Sequence, residues 1–483
     1  MLLIRFYCHN CSWLVLGLGV FRKEGPFFCY KPNRNYFLCI MIRPEITFKN
    51  INKIAVPALL ASIAEPLLSS TDAAVVGNLE TNATEALAAV GIVGAFLSML
   101  IWILGQTRSA ISALISQHLG ADKLLDIKSL PAQAIFFNLV LSIIVLASTS
   151  IFIKPIFQLL NAEGQVLDYC IQYYKIRVWG FPLTLFTFAI FGIFRGLQNT
   201  TWPMVIALVG AFTNIGMDFL LVYGWEGYID PMHIEGAAWA SLIAQFLMAI
   251  LAYILLRQKT SISLQLSFPI HPEIKNLVVM SLNLFVRTLA LNIAFILAVR
   301  VATDLGKVVI AAHTIAINIW LFSAFFLDGY ASAGNILGGK LYGANDIFSL
   351  RILAKRCVNY GLMMACLLLI VGMIFYSSFG TIFSKEPDVL ELFNQFFFIV
   401  LISLPINGVA FIYDGIFKGL GKMKYLRNVL LVSTFVGFVP TLYISQYFDW
   451  GIFGIWIAFL VWMIFRAVAL VWKFNADFGQ SKD

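Results

Sequence analysis

The sequence predicts an all-α integral membrane protein with twelve transmembrane helices in two six-helix lobes, which are related by an internal parallel repeat. Three observations favour this fold class: an apolar composition, a regular series of long apolar segments, and a second half of the chain that aligns on the first. The composition calls for lipid as solvent, the segments set the number of spans, and the repeat relates the two lobes.

Of the 483 residues, 60% are apolar and only 12% are charged, whereas a soluble domain has about 25% charged residues. The formal net charge of +8 agrees with Lys and Arg gathered in cytoplasmic loops, so it indicates no nucleic-acid partner. Four of the seven cysteines lie in the first 40 residues, a distribution that gives no disulfide framework. The partner that the composition indicates is the lipid bilayer.

Twelve segments are apolar enough and long enough to cross a membrane, which takes about 20 residues. The first six are predicted at 52–78, 86–116, 131–153, 168–195, 202–223 and 236–256. The second six are predicted at 276–302, 308–338, 357–382, 389–417, 428–447 and 451–473.

The connections between these spans alternate in charge along the chain. One set is rich in Lys and Arg, as in the connection with Lys418, Lys422, Lys424 and Arg427, and the other set is mostly acidic. Because basic connections stay in the cytoplasm, both termini are expected there. The expected location is the cell membrane, with a multi-pass topology.

The two halves align without a gap at an offset of 223 residues. The stretch FPLTLFTFAIFGIFRGL at 181–197 corresponds to LPINGVAFIYDGIFKGL at 404–420. Within it, Gly192-x-x-x-Gly196 and its repeat at 415–419 predict close helix packing. Six spans return the chain to its starting side, so the halves share one orientation. Parallel repeats of this kind build alternating-access transporters with a central cavity.

The repeat and the polar stretches between spans predict the domain organisation. An N-terminal extension occupies residues 1–48, and we expect Met41 to be the true start of the protein, because the first 40 residues differ in character from the rest. Two six-helix lobes follow at 49–257 and 273–475, with a cytoplasmic linker at 258–272 and a cytoplasmic tail at 476–483.

The first lobe holds acidic and amide side chains within its spans, where a charge costs several kcal/mol and needs a reason. Glu65 and Asp72 are two turns apart on one helix, and Asn214 and Asp218 share a face at i and i+4. By the repeat, Asp72 corresponds to Phe295. Buried carboxyls can exchange a proton, and an ionised pair with amide oxygens suits Na+. The cluster therefore predicts a cation-coupling site; the alternative is hydrogen-bonded packing residues.

The second lobe carries different buried charges, namely Arg287, Asp328 and Asp414, and none has a charged counterpart in the first lobe. Arg287 and Asp328 lie on consecutive spans, and we expect them to form an ion pair across the lobe interior, because an unpaired guanidinium is costly there. In the alternative interpretation, Asp328 helps to bind substrate or a proton.

Motifs for catalysis or nucleotide binding are absent from the sequence. The GGK at 338–340 lacks the spacing and the Ser or Thr of a phosphate-binding loop, and no HExxH or GxSxG occurs. The chain is therefore predicted not to be an enzyme and to use no cofactor. The only metal expected is Na+, at Asp72, Asn214 and Asp218.

Several stretches resemble the multidrug and toxic compound extrusion (MATE) family. They are STDAAVVGNL at 70–79, GIFRGLQNTTWPM at 192–204, TNIGMDFLLVYG at 213–224 and IEGAAWASLIAQ at 234–245. The stretches FVRTLALNIAF at 285–295 and FFLDGYASAGNILGGKLYGA at 325–344 are similar to the branch named for DNA-damage-inducible protein F.

This resemblance implies an antiporter that exports organic, often cationic or amphipathic small molecules in exchange for H+ or Na+. It also implies a coupling role for Asp72, Asn214 and Asp218, which are the residues that the charge pattern had already indicated. We expect a monomer. The alternatives are a flippase for lipid-linked intermediates, with two further helices and a more basic cavity than this sequence suggests, and a channel.

Overall fold

The computed structural model describes short strands between residues 13 and 41 and the chain over 46–78, 83–225 and 228–479; within the first helix it describes the backbone alone at 65–70. The chain divides into two compact units, Met1–Asn50 and Ile51–Asp483. The first unit contains an antiparallel four-stranded sheet with strand order β1-β2-β3-β4. Its strands are β1 Trp13–Leu16, β2 Gly19–Glu24, β3 Phe27–Asn33 and β4 Tyr36–Met41.

This sheet was not part of the predicted fold class, which assigned no secondary structure to the N-terminal extension. The strands are rich in aromatic and β-branched residues, which favour a pleated conformation. Met41 is the last residue of β4, and its assignment as the true start remains a prediction.

From residue 46 onward the named elements of the described chain are helices, as the sequence predicts. The first nine are α1 Phe48–Val76, α2 Ala83–Leu104, α3 Thr107–Gly120, α4 Leu130–Ile151, α5 Ile153–Leu159, α6 Gly164–Arg177, α7 Gly180–Gly196, α8 Thr201–Val222 and α9 His233–Lys259. The remaining eight are α10 Glu273–Asp304, α11 Lys307–Gly343, α12 Ile347–Ile374, α13 Tyr376–Phe383, α14 Pro387–Gly419, α15 Met423–Val432, α16 Val439–Tyr447 and α17 Gly451–Phe478. A 3₁₀ turn at Leu124–Ile127 precedes α4, and a π-helical stretch at Ser433–Phe438 joins α15 to α16.

Ten helical segments in the described part of the chain are long and apolar enough to cross a membrane. The pair α6 and α7, bent by 46°, makes an eleventh. The helix α1 has 29 residues, about 43 Å at 1.5 Å per residue, and it lies where the first span is predicted. A multi-pass helical membrane protein is therefore confirmed, while the count of twelve spans in two lobes stays a prediction.

The internal repeat reappears as a repeated helix contact. A Cβ on Gly192 would lie 2.8 Å from the carbonyl oxygen of Arg108, and a Cβ on Gly415 would lie 2.0 Å from that of Ala331. Both members of one contact are 223 positions from their counterparts in the other. The predicted close packing at these glycines is confirmed, because only a residue without a side chain allows backbones to approach this closely.

The two halves meet where α3, α11 and α14 end. Ser112 Oγ donates to Asn335 Oδ1 at 3.3 Å, and these two residues are themselves 223 positions apart. Gln117 Nε2 donates to the carbonyl of Gly419 at 2.7 Å, and a Cβ on Gly343 would overlap the Gln117 carbonyl. The helix ends next to the basic connections are thus held together.

Two large apolar clusters form most of the core. One combines buried residues between 61 and 256 with Leu277 and Leu284 of α10. The other combines Ala290 and Ala298 of α10 with residues of α11 to α17. The helix α10 therefore enters both clusters. The chain between α9 and α10, residues 260–272, contains no helix, and the assignment of 258–272 as a cytoplasmic linker stays a prediction.

Candidate functional site

A cavity of about 360 Å³ lies between helices of both halves. This volume is within the range of small-molecule sites. Its wall includes residues of α1, α2, α3, α6, α7, α8 and α9 from the first half and of α10, α11, α14 and α17 from the second. The cavity therefore brings charged side chains of both halves to one space.

Asp72, on α1, is buried at the wall of this cavity and accepts three hydrogen bonds from neutral groups. Asn214 Nδ2 donates to Oδ1 at 3.2 Å. Ser241 Oγ and the Tyr173 hydroxyl donate to Oδ2 at 2.9 and 3.0 Å. The helices α6, α8 and α9 each supply one donor, so the position of Asp72 depends on the packing of four helices. The predicted association of Asp72 with Asn214 is present in the structure.

Arg177, at the end of α6, extends this network. Its Nε donates to the Tyr173 hydroxyl at 3.3 Å, and its Nη2 lies 3.9 Å from Asp72 Oδ2. The sequence analysis missed Arg177, although the residue lies inside the predicted span 168–195. The criterion that found Asp72, a charge within a span, would have found this arginine as well.

Asp218 lies one turn beyond Asn214 on α8 and is fully buried. Among the described residues, no donor reaches either of its carboxylate oxygens or the side-chain oxygen of Asn214. Asp72 acts on it as a neighbouring negative charge. Two buried carboxyls this close are poorly tolerated when both are ionised. The pair can take up a proton, and these carboxylate and amide oxygens are also ligands that suit Na+.

Glu65 belongs to α1, but its side chain lies outside the described residues, so its predicted role in this site remains a prediction. The described side chains contain no group of three or more His, Cys, Asp or Glu residues that could hold a metal ion. Any Na+ ligands would therefore come from two carboxylates together with amide and hydroxyl oxygens.

Arg287 pairs with Asp414, and the expected pair with Asp328 is wrong. Arg287 Nη2 lies 2.6 Å from Asp414 Oδ1. Lys418 Nζ, one turn further along α14, lies 3.1 Å from Asp414 Oδ2, and Arg466 Nη2 on α17 lies 3.9 Å from Oδ1. The prediction failed because succession along the chain does not decide which helix faces meet; α14 carries the carboxylate to which α10 and α17 direct their guanidinium groups.

Asp328, on α11, instead accepts a hydrogen bond from Ser62 Oγ of α1 at 3.3 Å. This contact joins a helix of each half at the cavity wall. Its two neighbouring cations, Arg195 and Lys418, act on it electrostatically from a greater distance. The structure therefore puts Asp328 in the cavity but outside the ion-pair cluster of Asp414.

Arg195 and Arg108 are further charges that the sequence analysis missed. Arg195 is 5% exposed, and the structure gives its Nε and one terminal nitrogen no hydrogen-bond partner among the residues it describes. The guanidinium carbon of Arg108 lies 5.0 Å from the centre of the Phe188 ring. Both arginines belong to predicted spans, 168–195 and 86–116.

The described cavity wall is therefore basic, which the sequence analysis had not recognised. Its positively charged residues are Arg108, Arg177, Arg195, Arg287, Lys418 and Arg466, and its carboxylates are Asp72, Asp328 and Asp414.

A family model described as MatE matches this chain twice, at residues 57–220 and 284–444, together more than half of its length. The chain belongs to the MATE family. The two matched stretches correspond to the two halves of the repeat, and the resemblance drawn from the sequence is confirmed. MATE proteins are multi-pass membrane transporters, so small-molecule transport within a membrane is the expected kind of activity for this chain.

Relatives and solved structures agree with this assignment. The chain is 24% identical to DNA damage-inducible protein F of Escherichia coli, over 87% of this chain and 91% of that protein. It is 26% identical to Protein DETOXIFICATION 42 of Arabidopsis thaliana over 64% of this chain, a match that spans only 58% of that relative. The bent form of the Vibrio cholerae MATE transporter VcmN superposes with a TM-score of 0.81 at 20% identity, covering 89% of this chain and 96% of VcmN. At that identity the structure supports the fold alone.

Proposed function

We propose that this protein is a secondary active antiporter of the cell membrane, which exports organic small molecules in exchange for H+ or Na+. The observation that carries the proposal is the buried pair of carboxyls, Asp72 and Asp218, of which Asp72 lines a cavity shared by both halves. A buried ionisable group inside membrane-spanning helices is retained chiefly where a proton or ion moves.

The coupling step follows from the partners of this pair. Asp72 accepts three hydrogen bonds, whereas Asp218 lacks a donor in the described part of the chain. A bound H+ or Na+ relieves the repulsion between the two groups, and its release restores it. Because α1, α6, α8 and α9 all contribute to the site, ion occupancy can bias their packing and thus the conformation of the first half.

Alternating access requires that the halves separate at one end of the cavity and approach at the other. The contacts between α3, α11 and α14 hold together the ends next to the basic connections, which we assign to the cytoplasm. In this proposal twelve helices form two lobes, both termini are cytoplasmic, and the protein acts as a monomer. The described state is then closed to the cytoplasm.

A flippase for lipid-linked intermediates is the second candidate, and the basic cavity wall favours it. Such molecules carry phosphates, which arginine and lysine bind. The helices described from residue 46 onward fall within or beside the twelve predicted spans, so the two further helices expected of a flippase have no counterpart among them. The exporter is therefore the first choice.

The test is gradient-driven transport in proteoliposomes that contain the purified protein. Two fluorescent probes are offered separately, the cation ethidium and the anion naphthalene-2-sulfonate, under an imposed pH or Na+ gradient. The proposal expects one of the two probes to accumulate against its own gradient. This accumulation should stop when the ion gradient is collapsed. Movement of both probes only down their own gradients would identify a channel, and movement of neither would contradict the exporter.

A further inference from the structure

The central cavity has more positive than negative charge. Among the described residues of its wall, six side chains are cationic and three are carboxylates. Charges enclosed by helices are costly unless they are compensated. A wall of this composition is poorly suited to organic cations, the compounds that the family resemblance implies. The partners of each charge show where the excess lies.

In the second half, one carboxylate serves three cations. Arg287 and Lys418 lie 2.6 and 3.1 Å from the two oxygens of Asp414, and Arg466 lies 3.9 Å away. All four side chains are buried or nearly so. Asp328 is the other carboxylate of this half at the wall, and it acts on Lys418 from a greater distance. Two negative charges do not compensate three positive ones, so this part of the wall retains an excess of positive charge.

In the first half, Arg195 has even less compensation. The residue is 5% exposed, and its Nε and one terminal nitrogen have no acceptor within the described chain. Its charged neighbours are Arg108, which opposes it, and Asp328, which favours it. No ion pair joins Arg195 to a described carboxylate, and Arg195 is one of the residues that line the cavity. Such a group is a ready donor for a ligand oxygen.

Aromatic rings stand beside these cations. The guanidinium carbon of Arg466 lies 5.5 Å from the centre of the Phe411 ring, and Phe295 packs against Trp320 at the same wall, with ring centres 6.1 Å apart. Rings of this kind bury the apolar body of a ligand, while the cations bind an oxyanion at its end. The wall therefore fits a molecule with both features.

We propose that the cavity binds free organic anions that carry a carboxylate, sulfonate or phosphate on an apolar or aromatic body. Arg195 donates to the oxyanion from the first half, and Lys418, with Arg287 and Arg466, attracts it from the second. This inference rests on the proposed exporter, for which it names the substrate class. It replaces the cationic substrates implied by the family resemblance. Export of an anion in exchange for an entering cation moves positive charge inward, so an inside-negative potential accelerates it.

The test compares two probes that share a naphthalene body and have permanent charges of opposite sign: naphthalene-2-sulfonate and trimethyl(2-naphthyl)ammonium. Equilibrium binding to the purified protein in phosphatidylcholine nanodiscs is followed by naphthalene fluorescence, without any ion gradient. We expect saturable binding of the sulfonate that weakens as NaCl is raised, because the attraction is electrostatic. The ammonium probe should bind about tenfold more weakly or not at all, as expected when a charge-assisted contact is lost.

Variants then assign the binding to the basic wall. Arg195→Gln and Lys418→Gln should each weaken sulfonate binding by about tenfold, the scale of one charged hydrogen bond, and Arg195→Lys should recover part of the loss. Arg300→Gln removes an exposed arginine of α10 outside the cavity and should leave binding unchanged. If Arg195→Gln does not fold, Lys418→Gln and the salt dependence of the wild type still show whether the sulfonate binds at the basic wall.

Three outcomes would overturn the inference. The first is tighter binding of the ammonium probe than of the sulfonate, and the second is sulfonate binding that is unchanged by both substitutions. The third is displacement of the sulfonate by phosphatidylglycerol in the nanodisc, which would assign the site to a lipid headgroup. Failure of the exporter proposal looks different, because sulfonate would then bind as expected but would not accumulate under any ion gradient. Accumulation of ethidium without sulfonate binding would support the exporter and reject the anion site.

Discussion

The two halves each bury a carboxylate at the cavity wall, but they surround it differently. Asp72 accepts hydrogen bonds from three neutral groups, with a single arginine at 3.9 Å. Asp414 has three cations, two of them within direct contact distance. A carboxylate beside a second acid attracts a further cation, whereas one already enclosed by three cations does so much less. In the proposed function, the first site exchanges a cation and the second holds its charges in place.

Because the two halves align in sequence, this difference can be traced to individual positions. It comes from substitutions at equivalent positions: Asp72 corresponds to Phe295, and Asp414 corresponds to Phe191. Each half thus has an aromatic residue where the other half has its acid. The repeat supplies two similar walls, and the charges give each wall a separate task.

The largest expected effect is loss of coupling at the first site. Asp72→Asn or Asp218→Asn keeps the shape of the side chain and removes its ability to exchange a proton or bind a cation tightly, so gradient-driven transport should fall to the level of empty liposomes. The measurement is probe accumulation under an imposed pH or Na+ gradient. Asp168→Asn, an exposed acid on α6, is the matched control and should behave as wild type. Wild-type rates in both site variants would remove these residues from the coupling site.

The next effect is on stability, at the second site. Asp414→Ala leaves three buried cations without their carboxylate, and breaking such a cluster costs about 3–5 kcal/mol. Asp328→Ala should cost less, because its direct contact is a serine hydroxyl. A thermal-unfolding cycle with Arg287→Ala should give coupling of about 0.5–3 kcal/mol with Asp414 and none beyond error with Asp328. Coupling to Asp328 alone would restore the pair that the sequence suggested.

Much of this molecule could be predicted from its sequence for physical reasons. Lipid demands long apolar spans, and close helix packing demands glycine, so the spans and the Gly192 and Gly415 contacts follow from local patterns. Asp72, Asn214 and Asp218 were found because a polar group in a span without a repeat counterpart needs a reason. Both criteria compare positions along the chain and need no knowledge of which helices meet in space.

The pairing of charges was not predictable in the same way. Arg287 meets Asp414 and not Asp328 because α10, α14 and α17 converge laterally, and no local pattern specifies which helix faces meet. Arg195 and Arg466 were not predicted as wall residues, although they lie in the predicted spans 168–195 and 451–473. The basic character of the cavity appears only when side chains of both halves are collected in one space.

A smaller effect is expected where the halves touch. A Cβ on Gly343 would lie 1.9 Å from the Gln117 carbonyl, whereas one on Gly338, also on α11, would make ordinary contacts at 3.7 Å. Gly343→Ala should destabilise the closed end by about 1–3 kcal/mol, and Gly338→Ala should not. Opening of this end can be followed with Ser332→Cys, a single cysteine at the cavity wall of a protein without other cysteines. A thiol reagent should label this cysteine at least about fivefold faster in the Gly343→Ala protein than in the protein with Gly343, because a destabilisation of about 1 kcal/mol corresponds to about that factor. Equal labelling in both variants would show that this end is not the closed gate.

The smallest effect concerns one donor of the first site. Ser241→Ala removes the hydroxyl that donates to Asp72 at 2.9 Å and accepts from Asn214 Nδ2 at 3.1 Å, while Tyr173 and Asn214 still donate to Asp72. Each lost bond costs about 1 kcal/mol, so transport driven by a pH gradient should slow by about fivefold to thirtyfold and stay coupled. Ser323→Ala is the matched control, because that hydroxyl donates only to a carbonyl of its own helix.

The same pair of variants separates the two coupling ions. A hydroxyl oxygen is a Na+ ligand but is not needed to carry a proton, so Ser241→Ala should abolish Na+-driven transport if Na+ binds here. Complete loss under a pH gradient would contradict the view that Ser241 only supports Asp72.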